Sequence, residues 1–213
     1  MRGRLRGLAA ESERLPIAPR AGLPASIIEA VAAIAHPRLD AAEYAALQAG
    51  VGWRLSVELI DGEAVVTPPT GGQAASIQGE LFYALRRWQE STADGGLLLQ
   101  DVFVRLPEDQ YLAPDIAWWT AQRRPALSSG AVDVVPDLVV EVLSPATRAN
   151  DLGAKRELYL GAGVGELWLT DPDAATIVRV RRDAPNERLA RGDQLESAAF
   201  PGLALSLSHV FSG

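Results

Sequence analysis

Two acidic residues interrupt apolar stretches that are expected to form buried strands. Glu141 lies within Leu138–Leu143, and Asp115 lies between Pro114 and the apolar run Ile116–Trp119. An ionised carboxylate in such a setting is costly unless a cation or several hydrogen-bond donors meet it. Acids in neighbouring buried strands also raise each other's pKa. A divalent cation held between them would remove both problems, because Mg²⁺ takes one or two carboxylates and keeps its waters.

A third residue stands out because of its type. Lys155 is the only lysine among the 20 basic residues, and the other basic residues are all arginine. This usage indicates a position where a compact ammonium is needed instead of a planar guanidinium. Lys155 follows Glu141 by fourteen residues, on the helix expected after the Glu141 strand. We therefore expect its side chain to project towards the end of that strand.

Simpler interpretations exist for each of these residues. Either acid could pair with an arginine such as Arg148 or cap a loop. Lys155 has Asp151 four residues before it, the favourable order for a helical ion pair worth about 0.2–0.5 kcal/mol. For each acid alone the simple pairing is favoured. Together with the single lysine, the two acids favour a metal-dependent site.

Composition excludes several other chemistries. The 213 residues include no cysteine, which removes thiolate zinc sites and thiol nucleophiles. The two histidines, His36 and His209, are too few for an imidazole-rich metal site. The net charge of −7 argues against broad binding of nucleic acid. Trp118 and Trp119 would face opposite ways on a strand, so core packing is favoured over stacking on bases.

The chain is expected to comprise one domain behind an appendage. Residues 1–38 are interpreted as an N-terminal extension with a short helix over 27–35, and residues 39–213 as the main domain. No stretch reaches the ~20 apolar residues of a membrane span, and no signal peptide is evident, so a cytoplasmic location is expected.

The expected elements of the main domain alternate between strands and helices. Asp40 and Glu43 have capping-box spacing at the start of a helix. Asp61-Gly62 predicts a hairpin between two strands. Further expected elements are a helix over 73–91, strands at 97–106 and 113–119, a central strand at 138–143, a helix over 150–162 and strands at 165–171 and 176–182. The pattern predicts an α/β (α+β) fold with a central mixed β-sheet flanked by helices.

The order of these motifs resembles a known family. The motifs are the hairpin Val57–Glu63, Ala113-Pro114-Asp115-Ile116, the stretch Pro136–Pro145, and then Asp151, Lys155, Tyr159 and Gly163–Trp168 with Asp171-Pro172. The sequence over residues 40–211 is similar to the Uma-two family, which is grouped with restriction endonucleases in the PD-(D/E)XK nuclease superfamily. The first forty residues lie outside the likeness.

The resemblance implies a restriction-endonuclease-like fold and a phosphodiesterase site that uses Mg²⁺ or Mn²⁺. By position, Asp115 and Glu141, with the Val142 carbonyl, would hold the metal. The usual lysine position is Leu143 here, so Lys155 on the next helix is the matching catalytic residue. Glu80 is similar to an extra helical acid of such nucleases and is a fourth candidate catalytic residue.

The resemblance also implies DNA as the substrate, bound weakly and in a salt-sensitive manner given the acidic net charge. Phosphate contacts are expected from arginines, namely Arg123, Arg124, Arg148 and Arg156. A homodimer would supply two sites for cutting two strands. Two alternatives stay open: a catalytically inactive binding or assembly module with the nuclease fold, and a hydrolase of small phosphoesters.

Overall fold

A central sheet of six strands organises the molecule. The computed structural model describes residues 39–51, 56–67 and 70–212. The sheet is mixed, with the order β10-β9-β8-β7-β6-β3. Its strands are β3 (Leu97–Gln100), β6 (Ile116–Trp119), β7 (Leu138–Val142), β8 (Glu166–Asp171), β9 (Thr176–Arg181) and β10 (Ala184–Ala190). Only the β7–β8 pair is parallel among the pairings of this sheet.

Two smaller sheets accompany the central one. A four-stranded sheet has the order β2-β1-β5-β4, and β11 pairs with β12 in a hairpin. These strands are β1 (Ser56–Ile60), β2 (Glu63–Thr67), β4 (Val104–Leu106), β5 (Gln110–Leu112), β11 (Gln194–Ser197) and β12 (Phe200–Ser206). Asp61 and Gly62 both have positive φ in the β1–β2 turn, which confirms the predicted hairpin.

The described residues form five α-helices, and the longest follows the first hairpin. They are α1 (Ala41–Val51), α2 (Gly72–Thr92), α3 (Arg148–Leu152), α4 (Ala154–Ala162) and α5 (Leu207–Val210). The predicted capping box before α1 is confirmed. The Glu43 amide donates to Asp40 Oδ1 at 2.9 Å, and the Asp40 amide donates to Glu43 Oε2 at 2.9 Å.

The central sheet buries both of its faces. On one face α2, α5 and the β11–β12 hairpin pack over an aromatic core that includes Trp118 and Phe200. On the other face, α4 and the four-stranded sheet pack over a core that includes Trp119 and Tyr159. Trp118 and Trp119 therefore point to opposite faces and are both buried, as their adjacent positions on β6 predict. This burial excludes both rings from stacking on bases.

The sequence expectations for the elements are confirmed in most places and wrong in two. The helix predicted over 150–162 is two helices, α3 and α4, because the chain breaks at Gly153. A Cβ at Gly153 would lie 2.9 Å from the Ala149 carbonyl oxygen, so only glycine fits this turn. The strand predicted over 97–106 is β3 and β4, which belong to different sheets. Strands β5, β10, β11 and β12 were not anticipated as separate elements.

The architecture is the expected mixed α/β fold with a central sheet flanked by helices. The predicted extension over residues 1–38 and its helix over 27–35 lie outside the described residues, so the domain boundary stays a prediction. Within the described part of the chain, each helix is too short or too polar to span a bilayer.

The buried face of α2 generates a test of this packing. Leu81 is fully buried, whereas Tyr83 on the same helix is 57% exposed. We expect Leu81→Ala to lower the free energy of unfolding by about 2–5 kcal/mol, through lost burial and the cavity left behind. Tyr83→Ala is the matched control and should change it by less than about 0.5 kcal/mol. Urea denaturation of both variants measures the difference, and equal effects would contradict this packing.

Candidate active site

The ends of two adjacent central strands bring Asp115 and Glu141 together. Strands β6 and β7 are antiparallel, with Ile116 opposite Val140. The next pair along this register is Asp115 and Glu141. Alternate side chains of a strand point to the same face, so Glu141 lies on the same face of the sheet as Val139, whose side chain is in the core beneath α4. Asp115 is opposite Glu141, so its carboxylate lies on that face as well. The structure therefore places Glu141 within β7 and Asp115 directly before β6, its neighbour in the central sheet.

Lys155 lies at the centre of a group of carboxylates. Its Nζ is 2.9 Å from Glu141 Oε1, 3.0 Å from Glu58 Oε1 and 3.2 Å from Asp151 Oδ1. The Lys155 side chain is only 4% exposed, and those of its three partners are equally buried. Asp151 Oδ1 accepts no hydrogen bond from the described residues, so its contact with Lys155 is an ion pair. Both the projection towards Glu141 and the helical ion pair with Asp151 are thus present.

Asp115 and Glu141 each accept a hydrogen bond through one carboxylate oxygen. Tyr159 is one turn after Lys155 on α4, and its hydroxyl donates to Glu141 Oε1 at 2.7 Å. The Val142 amide donates to Asp115 Oδ2 at 2.5 Å. No hydrogen bond from the described residues reaches Glu141 Oε2 or Asp115 Oδ1. Each carboxylate therefore keeps one oxygen for a ligand.

Burial and an excess of acid raise the pKa values of both strand carboxyls. Loss of solvation raises the pKa of Asp115 to about 7, against the opposing effects of the Val142 amide and Lys155. Burial also raises the pKa of Glu141 well above its ordinary value, and Asp151 and Asp115 raise it further. The pKa of Lys155 is lowered by burial but raised more by its carboxylate partners, so its net shift is upward and it stays an ammonium.

The donor chemistry fits a hard divalent cation. Around the one ammonium lie Glu58, Glu141 and Asp151, with Asp115 on the adjacent strand, so acid groups exceed cationic groups. Across the described residues, no three His, Cys, Asp or Glu side chains converge as a group that could hold a metal. A cation that takes two carboxylate oxygens and retains several waters matches this donor set, and Mg²⁺ binds in that way. Asp115 and Glu141 are the residues that could hold it.

Some residues of the cluster were not anticipated as part of it. Glu58 interrupts the apolar run of β1 in the same way that Glu141 interrupts β7, and this signal could have identified it. Gln78 of α2 is buried, and its Nε2 donates to the Asp115 carbonyl oxygen at 3.0 Å and to Asp101 Oδ1 at 3.1 Å. Tyr159 could have been placed by its spacing of four residues from Lys155.

Glu80 does not join the other candidate residues. It is two residues after Gln78 on α2, and that spacing turns its side chain about 200° away from the Gln78 side of the helix. Its Oε2 lies 3.2 Å from Nε2 of His209, an exposed residue of α5. The position of α2 that faces Asp115 carries an amide, so the expectation of a helical acid at this place is not met by Glu80.

Three of the four arginines expected to contact phosphate have partners within the protein. Arg148 pairs with Asp171 at 2.6 Å, so it neutralises neither Asp115 nor Glu141. Arg123 pairs with Asp137 at 2.5 Å, and Arg124 donates to the Gly95 carbonyl at 3.0 Å. Both of these follow the end of β6 opposite Asp115, so they lie away from the site. Arg156, beside Lys155 on α4, keeps its expected role as a prediction.

Comparisons with known proteins match the family and the fold. The family model Uma2, described as "Putative restriction endonuclease", matches residues 41–208. Among solved structures, the chain is similar to a putative nuclease belonging to DUF820 from Anabaena variabilis, with a TM-score of 0.70 and 22% sequence identity. That similarity covers 82% of this chain and 98% of the other. It shows a shared fold. A search of curated proteins gave no match.

The raised pKa of Asp115 predicts a pH-dependent stability in metal-free protein. Because the folded pKa is about 7 and the ordinary value is 3.8, the folded state holds a proton that the unfolded state has released between these values. The stabilisation is present below about pH 4 and is lost as the pH rises to about 7. Asp115→Asn removes this titrating group. Its free energy of unfolding should therefore rise by about 2 kcal/mol relative to that of the wild type as the pH rises from about 5 to about 8.

Urea unfolding in the presence of a chelator measures this difference. Asp133→Asn makes the same change at an exposed carboxyl and is the matched control. Its free energy of unfolding should differ from that of the wild type by a constant amount over the same pH range. A constant difference for Asp115→Asn as well would show that Asp115 is not desolvated as described.

Proposed function

Because the chain belongs to the Uma2 family of putative restriction endonucleases, we propose that it is a metal-dependent endonuclease that hydrolyses phosphodiester bonds of DNA. The observation that carries the proposal is the meeting of Asp115, Glu141 and Lys155 on one face of the central sheet. Two carboxylates with free oxygens can hold a cation, and the adjacent ammonium can interact with a phosphate. This combination is suited to metal-dependent hydrolysis of a phosphodiester.

Asp115 and Glu141 would hold Mg²⁺ or Mn²⁺, with the Val142 carbonyl as a further donor. A bound divalent cation supplies Lewis-acid polarisation of a phosphoryl oxygen and activation of the attacking water. The contact that the structure gives for Val142 is that of its amide with Asp115, which orients this carboxylate. Tyr159 orients the carboxylate of Glu141 in the same way.

Lys155 would act as a charged donor and not as a base. Its raised pKa keeps it protonated, so it cannot accept a proton from water near neutral pH. An ammonium close to the bound phosphate stabilises the negative charge that develops on the phosphoryl oxygens, and it can orient the attacking water. The proton of that water must leave to solvent or to another group.

The substrate is proposed to be DNA because the family is described as restriction endonucleases. The net charge of −7 implies weak and salt-sensitive affinity, with Arg156 as the phosphate contact nearest to Lys155. A homodimer would place one active site at each of the two DNA strands.

Cleavage of supercoiled plasmid in about 10 mM Mg²⁺ or about 1 mM Mn²⁺ tests the proposal. We expect wild type to nick or linearise the DNA, chelator to stop the reaction, and Glu141→Gln to lower the rate by at least about 100-fold, because it removes a ligand charge. Glu157→Gln makes the same change at an exposed residue of α4 and should cleave at the wild-type rate.

Failure of the wild-type protein on plasmid, single-stranded, branched and RNA substrates would contradict the nuclease proposal. Metal-dependent binding of DNA without cleavage would instead support an inactive binding module. Turnover of a chromogenic phosphodiester without DNA cleavage would support a hydrolase of small phosphoesters.

The lone lysine allows a second test of the proposed mechanism. Lys155→Arg keeps the positive charge, but a planar guanidinium cannot occupy the space of a compact ammonium whose side chain is 4% exposed among three carboxylates. We expect the cleavage rate to fall by at least about 100-fold while the metal affinity falls far less. Cleavage by this variant at the wild-type rate would show that the lysine has no specific role.

A further inference from the structure

We propose that Glu58 is a positioning residue that links Lys155 to the segment carrying Asp115, a role that rests on the proposed nuclease function. Glu58 lies on β1, in the four-stranded sheet, whereas Glu141 lies on β7 of the central sheet and Asp115 directly precedes β6 of that sheet. Its side chain is only 3% exposed. A carboxylate so deeply buried, and supplied by a different sheet, needs a specific set of donors.

The contacts of Glu58 join three elements at one carboxylate. Oε1 accepts a hydrogen bond from the Ala113 amide at 2.8 Å and lies 3.0 Å from Lys155 Nζ. Oε2 accepts from the Thr67 hydroxyl at 3.3 Å, across the β1–β2 hairpin. Ala113 is two residues before Asp115, in the short segment that leads from β5 to β6. Glu58 therefore fixes the Asp115 segment and the Lys155 ammonium relative to each other.

Lys155 has a limited number of hydrogen-bond donors, and this explains why the position of Glu58 matters. An ammonium has three N–H groups, and three carboxylates surround the one of Lys155. Without the charge of Glu58, the ammonium would be drawn more strongly to Glu141, whose second oxygen is proposed to face a metal. Glu58 shares the ammonium with Glu141, because its Oε1 lies 3.0 Å from Nζ and Glu141 Oε1 lies 2.9 Å from it. Glu58 is thus assigned to Lys155 and not to the metal.

The single lysine provides a readout that does not depend on activity. Protein labelled with 15N at lysine Nζ should give one side-chain ammonium signal, because Lys155 is the only lysine in the chain. We expect Glu58→Gln to shift this signal and to speed hydrogen exchange of the ammonium. Glu63→Gln makes the same change at an exposed residue of the same hairpin and should leave the signal unchanged.

The effect on cleavage should appear in kcat and not in KM. For Glu58→Gln on plasmid DNA with Mg²⁺ we expect kcat to fall about 10- to 100-fold, as for other residues that orient a catalytic group. KM should stay within about twofold, because the contacts with DNA are unchanged. Glu58→Asp retains the charge but is one methylene shorter, so it should restore part of kcat. Mn²⁺ binding measured by electron paramagnetic resonance should persist in Glu58→Gln.

The outcomes separate this proposal from the proposed function. If wild type cleaves DNA and Glu58→Gln retains the wild-type kcat, the positioning role is wrong while the nuclease function stands. If wild type cleaves nothing, the nuclease function fails, and an unchanged Lys155 signal in Glu58→Gln would overturn the structural part of this proposal as well. Loss of Mn²⁺ binding in Glu58→Gln would overturn it by making Glu58 a metal ligand. If Glu58→Gln does not fold, the same signal and kcat comparisons are made with Glu58→Asp.

Discussion

The structure depends on the burial of one ammonium among several carboxylates. Removing any ion from water is costly, and a buried ion pair is stable only when its remaining donors and acceptors are also satisfied. Lys155 meets this condition through Glu58, Glu141 and Asp151, which all lie within 3.2 Å of its Nζ. The cluster holds three carboxyl groups and one ammonium, and Asp115 adds a fourth carboxyl group. This imbalance is what makes the site suited to a cation.

The fold supplies these groups from elements that are distant in sequence. Glu141 comes from the central strand β7, Glu58 from the second sheet, and Lys155 from α4. The break at Gly153 separates α3 from α4 and still leaves Asp151 close to Lys155, as an unbroken helix would. The surrounding core is apolar on both faces of the sheet, so the polar groups of the cluster have few partners besides one another.

Residues whose chemistry conflicts with their neighbours were predictable from the sequence. Glu141 in an apolar strand and the single lysine indicated the centre of the site, and the Asp61-Gly62 turn and the Asp40–Glu43 capping box indicated local elements correctly. Glu80 was misplaced because helical position alone does not tell which face of α2 meets the sheet. Glu58 carried the same signal as Glu141, an acid within an apolar strand, but its contact with Ala113, 55 residues away, is tertiary. Gln78 carried no such signal, because it meets Asp115 only through a contact 37 residues away.

The central claim is that Asp115 and Glu141 together hold a divalent cation beside Lys155. Anomalous diffraction from a crystal soaked in millimolar Mn²⁺ tests it without knowledge of the substrate. The account predicts an anomalous peak within coordination distance of Asp115 Oδ1 and Glu141 Oε2, with the Lys155 ammonium next to it. Well-ordered and accessible carboxylates without a peak, or with an arginine bound between them, would contradict it.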